Sequence, residues 1–466
     1  MAVDKVVDSA QLDAAMTATA AAIRTAGGTS ARIAWDKDEG FRESIRRKLS
    51  GILLDNLEVV TPPNKTTYSL GETFDYTGLV LKATYTNGAT REITGGWIEP
   101  EDTTATLNKT HTGVLFEEYG ISRWAVFPIT LLNPVTESAA VATGLNVNND
   151  APLRAITYYD GRYLAVETAS ATEQFYKSNF TKAAPTAVTR TGYNANRPYP
   201  ANAIITDGNL VWIGNTTDRS VAPYSNRYLL RAPYSTFITT ASDALNVFAV
   251  SGVNINACAG WLSGYCWFVG KDGSGNGFVA RCAAGGTVST QTYSGIGELD
   301  YVGVGNGYLV AVSNTDKKVI VLRDPLGSWT ANIYTLSDYF AITPLVSYLS
   351  GATLGIIGKN ASNELVYAIY NILSSGFKHV FESDICNGAE DYESFTAFQS
   401  TGSCKISVAV RADGSRDMIL CNSLYARAFP ASVASPVLSC AADGGMTVIG
   451  KADGKYTLTQ LTEAST

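Results

Sequence analysis

Residues 301–313 read YVGVGNGYLVAVS and residues 318–323 read KVIVLR. They spell an apolar strand, a turn carrying Gly307, a second apolar strand, a polar turn and a third strand. The first two strands and their turn recur in AITYYDGRYLAVE, AIITDGNLVWIGN, CAGWLSGYCWFVG, LVSYLSGATLGIIG, TAFQSTGSCKISVAV and LSCAADGGMTVIGK. The turn glycines Gly161, Gly208, Gly264, Gly307, Gly351, Gly402 and Gly444 lie 47, 56, 43, 44, 51 and 42 residues apart. Third strands follow in EQFYKS, RYLLRA, GFVARC, KVIVLR, LVYAIY, DMILCN and KYTLTQL, and the first six repeats add an outer strand, as in TAVTRT, TFITT and FKHVFES. Four strands per period of this length describe a propeller blade, because one small sheet cannot bury both faces until its neighbours stack on it. The expectation is a seven-bladed β-propeller over residues 135–466.

The last repeat runs out of chain after its third strand, at Leu461. Closing the ring needs a strand from elsewhere, since an open outer edge invites pairing with other chains. Residues 137–145, ESAAVATGL, stand just before the first repeat and are placed to supply it. The Asp-box, Trp-Asp and kelch Gly-Gly patterns are missing as regular features, which leaves the propeller's subfamily open.

Upstream, over residues 53–133, apolar and polar residues alternate with a period of two, and Asn87-Gly88 between LVLKATYT and ATREIT marks a two-residue hairpin. That is the pattern of a small β-sandwich. Its residues Pro63, Tyr68, Gly71-Glu72, Phe74-Asp75, Thr77-Gly78, Tyr85 and Asn87-Gly88 resemble those of the bacterial immunoglobulin-like domains common in surface and phage proteins. The resemblance implies a spacer and transfers no catalytic residue.

Residues 1–52 are the helical part. Asp8 and Gln11 form an N-cap and third-position pair, and Leu12, Met16, Thr19 and Ile23 recur near helical spacing until Gly27-Gly28 ends the run. A second short helix places Phe41, Ile45 and Leu49 on one stripe. So short a segment, with mostly alanine on its apolar face, cannot build a stable core alone and needs a neighbour. Its residues Leu12, Ala22-Ile23-Arg24, Gly28, Ile33, Trp35, Gly40-Phe41 and Ile45 are similar to a short N-terminal module of tail and other structural proteins of bacteriophages, although Ala26 stands where lysine is more usual. The resemblance implies docking onto other virion proteins, with Leu12, Met16, Ile23, Trp35, Phe41 and Ile45 as docking residues. It also implies an oligomer in the virion, although no long heptad run offers a coiled-coil stalk. The fold class expected of the whole chain is mainly β: a short α-helical N-terminal segment, an Ig-like β-sandwich and a seven-bladed β-propeller.

Composition narrows the chemistry. With 35 Lys and Arg against 42 Asp and Glu, the 466-residue chain carries a formal charge of −7, which argues against binding nucleic acid through its phosphates. The start MAVDKVVDSAQLDAAM has three aspartates where a secretory signal needs a basic start and an apolar run, so no secretory signal is expected; the phage resemblance implies the virion as location, after assembly in the host cytoplasm. Residues 244–270 are uncharged but hold Asn246, Asn254, Asn256 and several glycines and serines, which suits a strand-turn-strand better than a membrane span. All seven cysteines fall in the C-terminal half, odd in number and without a CxxC pair, so reduced, buried thiols are expected in place of a disulfide framework or a zinc site.

Only His111 and His379 are available, too few for a nucleophilic triad or a histidine metal site, and no cofactor is expected. GVGNGY at residues 303–308 is a blade turn and not a dinucleotide fingerprint. The run DGSGNG from Asp272 lacks the spaced carboxylates and terminal Glu of a calcium loop. Paired carboxylates on different blades remain the material for a glycoside hydrolase, but Asp160, Asp207, Asp413 and Asp443 stand beside turn glycines, where Asp is favoured for turn geometry.

Recognition is better supplied. In a four-stranded blade the second-to-third strand loop and the crossover to the next blade share a face. There the sequence offers Tyr193, Arg197 and Tyr199, the long loop with Asp218, Arg219, Tyr224 and Arg227, and later Tyr339, Asp391 and Tyr392. Flat rings stack on sugar faces and charged groups orient hydroxyls, so these residues make a candidate surface for a host glycan or protein. The expected role is a tail-fibre or appendage adhesin without enzymatic activity. Decoration of the capsid or collar, and cleavage of host-surface polysaccharide, are the alternatives.

Overall fold

The computed structural model describes most of residues 52–466, together with Thr17, Ala18 and Ala21; the larger segments outside the description are 148–151, 168–175, 184–187, 192–200, 216–228, 240–245, 249–252 and 386–391. The expected docking residues Leu12, Met16, Ile23, Trp35, Phe41 and Ile45 therefore lie outside the described residues. The chain divides into two compact units, one ending at Pro134 and the other running over Val135–Ser465.

The first unit is an Ig-like domain. Leu54–Thr61, Val80–Tyr85 and Thr90–Ile93 form one antiparallel sheet, His111–Glu118 pairs with Ile121–Pro128, and Thr67–Tyr68 runs parallel to Thr130–Leu131. Alternation does the sorting: Leu81, Ala83 and Tyr85 are buried while the residues between them are half-buried. The hairpin forms where Asn87-Gly88 marks it, but its loop has three residues and not two: Gly88 N–H donates to Tyr85 O at 2.8 Å, Tyr85 N–H to Ala89 O at 2.9 Å, and Gly88 alone takes a left-handed φ of 81°. Tyr68 is fully buried, edge-on to Phe74 at 5.1 Å, and its hydroxyl donates to Lys65 O at 2.7 Å.

The second unit is a ring of seven antiparallel sheets. Blade 1 is Leu153–Tyr159, Arg162–Glu167, Tyr176–Thr181 and Val188–Thr191, and blades 2 to 6 follow with inner strands at Ala201–Thr206, Val253–Leu262, Tyr301–Gly305, Ile342–Ser350 and Tyr392–Phe395. Blade 7 has Leu438–Ala442, Gly445–Ala452 and Lys455–Glu463. The turn glycines take the left-handed conformation that only glycine adopts freely: Gly161, Gly208, Gly264 and Gly307 all have φ between 75° and 86°.

Each described apolar cluster in this unit joins two neighbouring blades. Trp212, Ile255 and Phe268 join blades 2 and 3; Trp267, Val302 and Ile320 join blades 3 and 4; Tyr163, Phe180, Ile449 and Tyr456 join blades 1 and 7. Three arginines add a repeated latch. At the end of the third strand, Arg231 lies over the Trp212 ring and donates to Ala284 O, and Arg281 lies over Tyr265 and Trp329 and donates to Pro325 O and Leu326 O. Arg323 lies over Tyr308 and donates to Gly376 O. Each guanidinium leans on an aromatic ring and caps main-chain carbonyls of the following blade.

Blade 2 departs from expectation. TFITT is not its outer strand: Tyr234–Thr239 is a short helix, and Asn246–Phe248 takes the outer position. The reason is spacing, because Tyr234, Phe237 and Ile238 put their apolar side chains on one helical face against the cluster of blades 1 and 2.

The closing sheet also differs in detail. Two short strands occupy its outer position: Val135–Glu137 and Val141–Asn146 both pair with Lys455–Glu463, with Leu461 opposite Glu137 and Leu458 opposite Val141. Between them the Ser138 hydroxyl accepts the Gln460 N–H at 2.9 Å, which keeps the interrupted ladder satisfied. Thr143, 2% exposed, donates from its hydroxyl to Tyr456 O at 2.8 Å and accepts the Leu145 N–H at 3.2 Å. The Tyr163 and Thr447 hydroxyls meet at 2.7 Å across the seam between blades 1 and 7. Replacing Thr143 with alanine leaves a buried carbonyl and a buried N–H without this partner. The substitution is expected to lower the propeller's unfolding free energy in urea by about 1–3 kcal/mol; an unchanged denaturation midpoint would show that the clasp does not limit stability.

Candidate functional site

The inner strands surround a central channel of about 690 Å³, lined by residues of all seven blades, among them Ile156, Ile204, Cys258, Val302, Ser347, Phe395 and Ser439. Its walls are mostly small or apolar, and the chemistry is concentrated at one mouth. Near the start of the inner strand, five blades insert one extra residue opposite the second strand: Arg154, Asn202, Asn256, Leu345 and Glu393. Blades 4 and 7 reach the same arrangement from just outside the strand, where Asp300 N–H donates to Val312 O and Val437 N–H to Ile449 O, both at 2.8 Å. One residue per blade is thereby presented around the mouth, on the face that carries the crossovers and the second-to-third strand loops.

The blade 3 and 4 sector of this mouth is the best described. Lys271 donates to Glu298 Oε2 at 2.6 Å, and Asn256 donates to the other oxygen of the same carboxylate. Burial works against the Glu298 charge, but these two hydrogen bonds outweigh it and hold its carboxyl below the usual range. Asp300 behaves oppositely. Burial, with Glu298 and Asp316 nearby, pushes it above the usual range, although its Oδ2 accepts the Asn314 N–H at 2.8 Å. Two carboxylates so close together are thus tuned apart, one held ionised by a lysine and one burdened by desolvation. No motif announced them, because the register of the sheets brings them together; a polar residue six to nine positions before the turn glycine in five of the seven blades is the trace they leave in the sequence.

The residues expected to bind a ligand fare unevenly. Tyr193, Arg197, Tyr199, Asp218, Arg219, Tyr224, Arg227 and Asp391 lie outside the described residues. Tyr339 is 39% exposed in the crossover after blade 4, edge-on to Tyr334 and Phe377. Tyr392 requires a correction. It opens the inner strand of blade 6, is 8% exposed, and packs in the cluster of blades 5 and 6. Its hydroxyl donates to Asp417 Oδ2 at 2.6 Å, the same oxygen that takes Arg411. The pleat turns this tyrosine between the sheets, so it supports the fold and is closed to a ligand.

The other candidate chemistry is occupied structurally. Asp207 Oδ1 accepts the Asn209 and Leu210 N–H groups, Asp413 Oδ1 accepts that of Ser415, and Asp160 and Asp443 sit at φ 45° and 41° in their turns. Asp272 Oδ1 likewise accepts the Ser274 and Asn276 N–H groups of its glycine-rich turn. Cys266 and Cys282 face each other across two strands as free thiols; burial pushes the Cys266 thiol up and those of Cys258 and Cys440 up to about 12, away from nucleophilic use. His379 stacks on Phe340 at 4.8 Å, and His111 Nδ1 sits 2.9 Å from the Thr110 hydroxyl. Among the described residues no group of three or more His, Cys, Asp or Glu is placed to hold a metal ion, and no helix is long and apolar enough to cross a membrane.

Residues 61–115 match the family of bacterial Ig-like domains, group 3. No curated protein matches the chain. Among solved structures, a chain from "Crystal Structure of Mitotic Checkpoint Complex" is 11% identical with a TM-score of 0.48, covering 72% of this chain and 96% of its own. A chain from "YCF48 bound to D1 peptide" is 11% identical with a TM-score of 0.48, over 71% and 95%, and one from "Crystal structure of RRP9 WD40 repeats" is 9% identical with a TM-score of 0.46, over 70% and 100%.

The mouth carboxylates give a signed test. Glu298 stabilises the fold above its unfolded-state pKa, and that stabilisation is lost as pH falls through its lowered folded value. Glu298→Gln is therefore expected to lower the melting temperature at neutral pH, with the gap to the unmodified protein closing in acid. Asp300 has the opposite sign: the raised folded value makes stability fall as pH rises from the usual carboxylate range through that value. Asp300→Asn should therefore gain on the unmodified protein at neutral pH and not in acid. Melting curves across pH that ran parallel for all three proteins would refute both assignments.

Proposed function

We propose that the chain is a bacteriophage virion structural protein, an appendage adhesin that binds a host-surface glycan or protein through the channel-mouth face of its propeller. In this reading residues 1–52 attach it to other virion proteins and the Ig-like unit serves as a spacer. The observation that carries the binding reading is the ring at the mouth. Seven sheets present one residue each, and Arg154, Asn202, Asn256, Asp300 and Glu393 make that rim polar and charged, with Leu345 and Val437 its apolar members. Such a rim, held by rigid strands, offers hydrogen bonds at little ordering cost to a ligand. The turn aspartates already serve the backbone, which favours binding over bond cleavage.

Replacing Tyr193, Arg197 and Tyr199 together with alanine tests the surface. The expected outcome is loss of attachment of the purified full chain to host cells, with the melting temperature unchanged and no reducing sugar released from host polysaccharide by either protein. Undiminished attachment would remove these loops from the binding surface, and sugar release by the unmodified protein would make it an enzyme instead.

A further inference from the structure

Beside the channel, where blades 6, 7 and 1 meet, a recess of about 340 Å³ opens. Phe395, Val408, Pro436 and Tyr456 give it apolar walls, and Ser394 adds a hydroxyl. Two cations line it, Arg154 from the inner strand of blade 1 and Lys451 from the second strand of blade 7. Among the described lining residues there is no carboxylate, and neither cation forms an ion pair with a described residue. Three other cations of the propeller do face carboxylates: Lys271 with Glu298, Arg411 with Asp417 and Lys182 with Asp443. Two positive charges beside apolar walls, with no carboxylate among the described lining residues, suit an anion.

We infer that this recess binds a carboxylate-bearing pyranose, the acidic unit of a surface polysaccharide. The volume lies in the range of about 300–1,000 Å³ typical of small-molecule sites. Arg154 and Lys451 give charge-assisted hydrogen bonds to the carboxylate, stronger than neutral ones. The walls of Phe395 and Pro436 meet the C–H face of the ring, and Ser394 meets a ring hydroxyl. The cations demand the negative charge; the choice of a sugar acid over another small carboxylate rests on the glycan-binding reading above.

Calorimetric titration of the full chain with D-glucuronate, D-glucose and inorganic sulfate tests the site. Glucuronate is expected to bind, glucose and sulfate to bind at least about tenfold more weakly, and Arg154→Gln and Lys451→Gln each to weaken glucuronate by about tenfold, the worth of one charge-assisted hydrogen bond. Lys451→Arg should retain binding, and melting temperatures should show all variants folded. Glucuronate binding no better than glucose, or unaffected by both glutamine variants, would overturn the proposal; sulfate binding as well as glucuronate would reduce the recess to a plain anion site and overturn the sugar. Host attachment separates this from the broader reading. Attachment that persists without glucuronate binding sinks the recess alone, whereas glucuronate binding without attachment sinks the adhesin and leaves the recess standing.

Discussion

The pairing of Lys455–Glu463 with Val135–Glu137 and Val141–Asn146 is the constraint on which the second unit depends. Six sheets can form from neighbouring stretches of chain, and each is a local antiparallel meander. The seventh cannot be completed without residues from the opposite end of the unit, so the contact that closes the ring is also the one with the greatest loss of chain entropy. The structure offsets that loss with side chains as well as backbone. Tyr163 and Tyr456 are buried and hydrogen-bonded across the seam between blades 1 and 7, Thr143 is buried and bonded to Tyr456 O within the closing sheet, and the two rings share one apolar cluster with Ile449 and Leu458. Closure also removes a raw sheet edge from solvent.

Closure makes the channel mouth possible. An extra residue in a strand is a local event, but at the same level in five of seven sheets it becomes a ring, because the sheets are held at fixed register around one axis. The tuning of Glu298 and Asp300 follows from the same arrangement. Lys271 and Asn256 come from blade 3 and meet Glu298 in the crossover that leads to blade 4. Neither blade alone would assemble that group.

Much of the architecture is legible in the sequence because its signals are local. Glycine at a left-handed turn, an apolar run on each side and a period of one blade are properties of short stretches, and the Asn87-Gly88 hairpin belongs to the same class. Where a signal was ambiguous over a few residues, packing decided: 234–239 carries both a strand-like threonine-rich composition and an i, i+3, i+4 apolar stripe, and the stripe prevailed. The site was less legible. Tyr392 stands in a run of acidic and aromatic residues that reads as a loop, yet strand register carries it into the core beside Asp417. Asp300, Glu298, Arg154 and Lys451 gained their surroundings from chain segments far away in sequence, and no spacing rule reaches that far.

The three arginine latches run in one direction, each from a blade to its successor, and tie blades 2 to 5 into one sector. Among the described residues the third strands of blades 5, 6 and 7 end without such an arginine, and the recess opens in that part of the ring. The circumference is therefore tied by two different devices, arginine latches from blade 2 to blade 5 and the Tyr163–Thr447 and Leu153–Tyr456 hydrogen bonds at the seam. A guest entering the recess between blades 6, 7 and 1 would act there as a wedge, bridging blades that no such arginine ties.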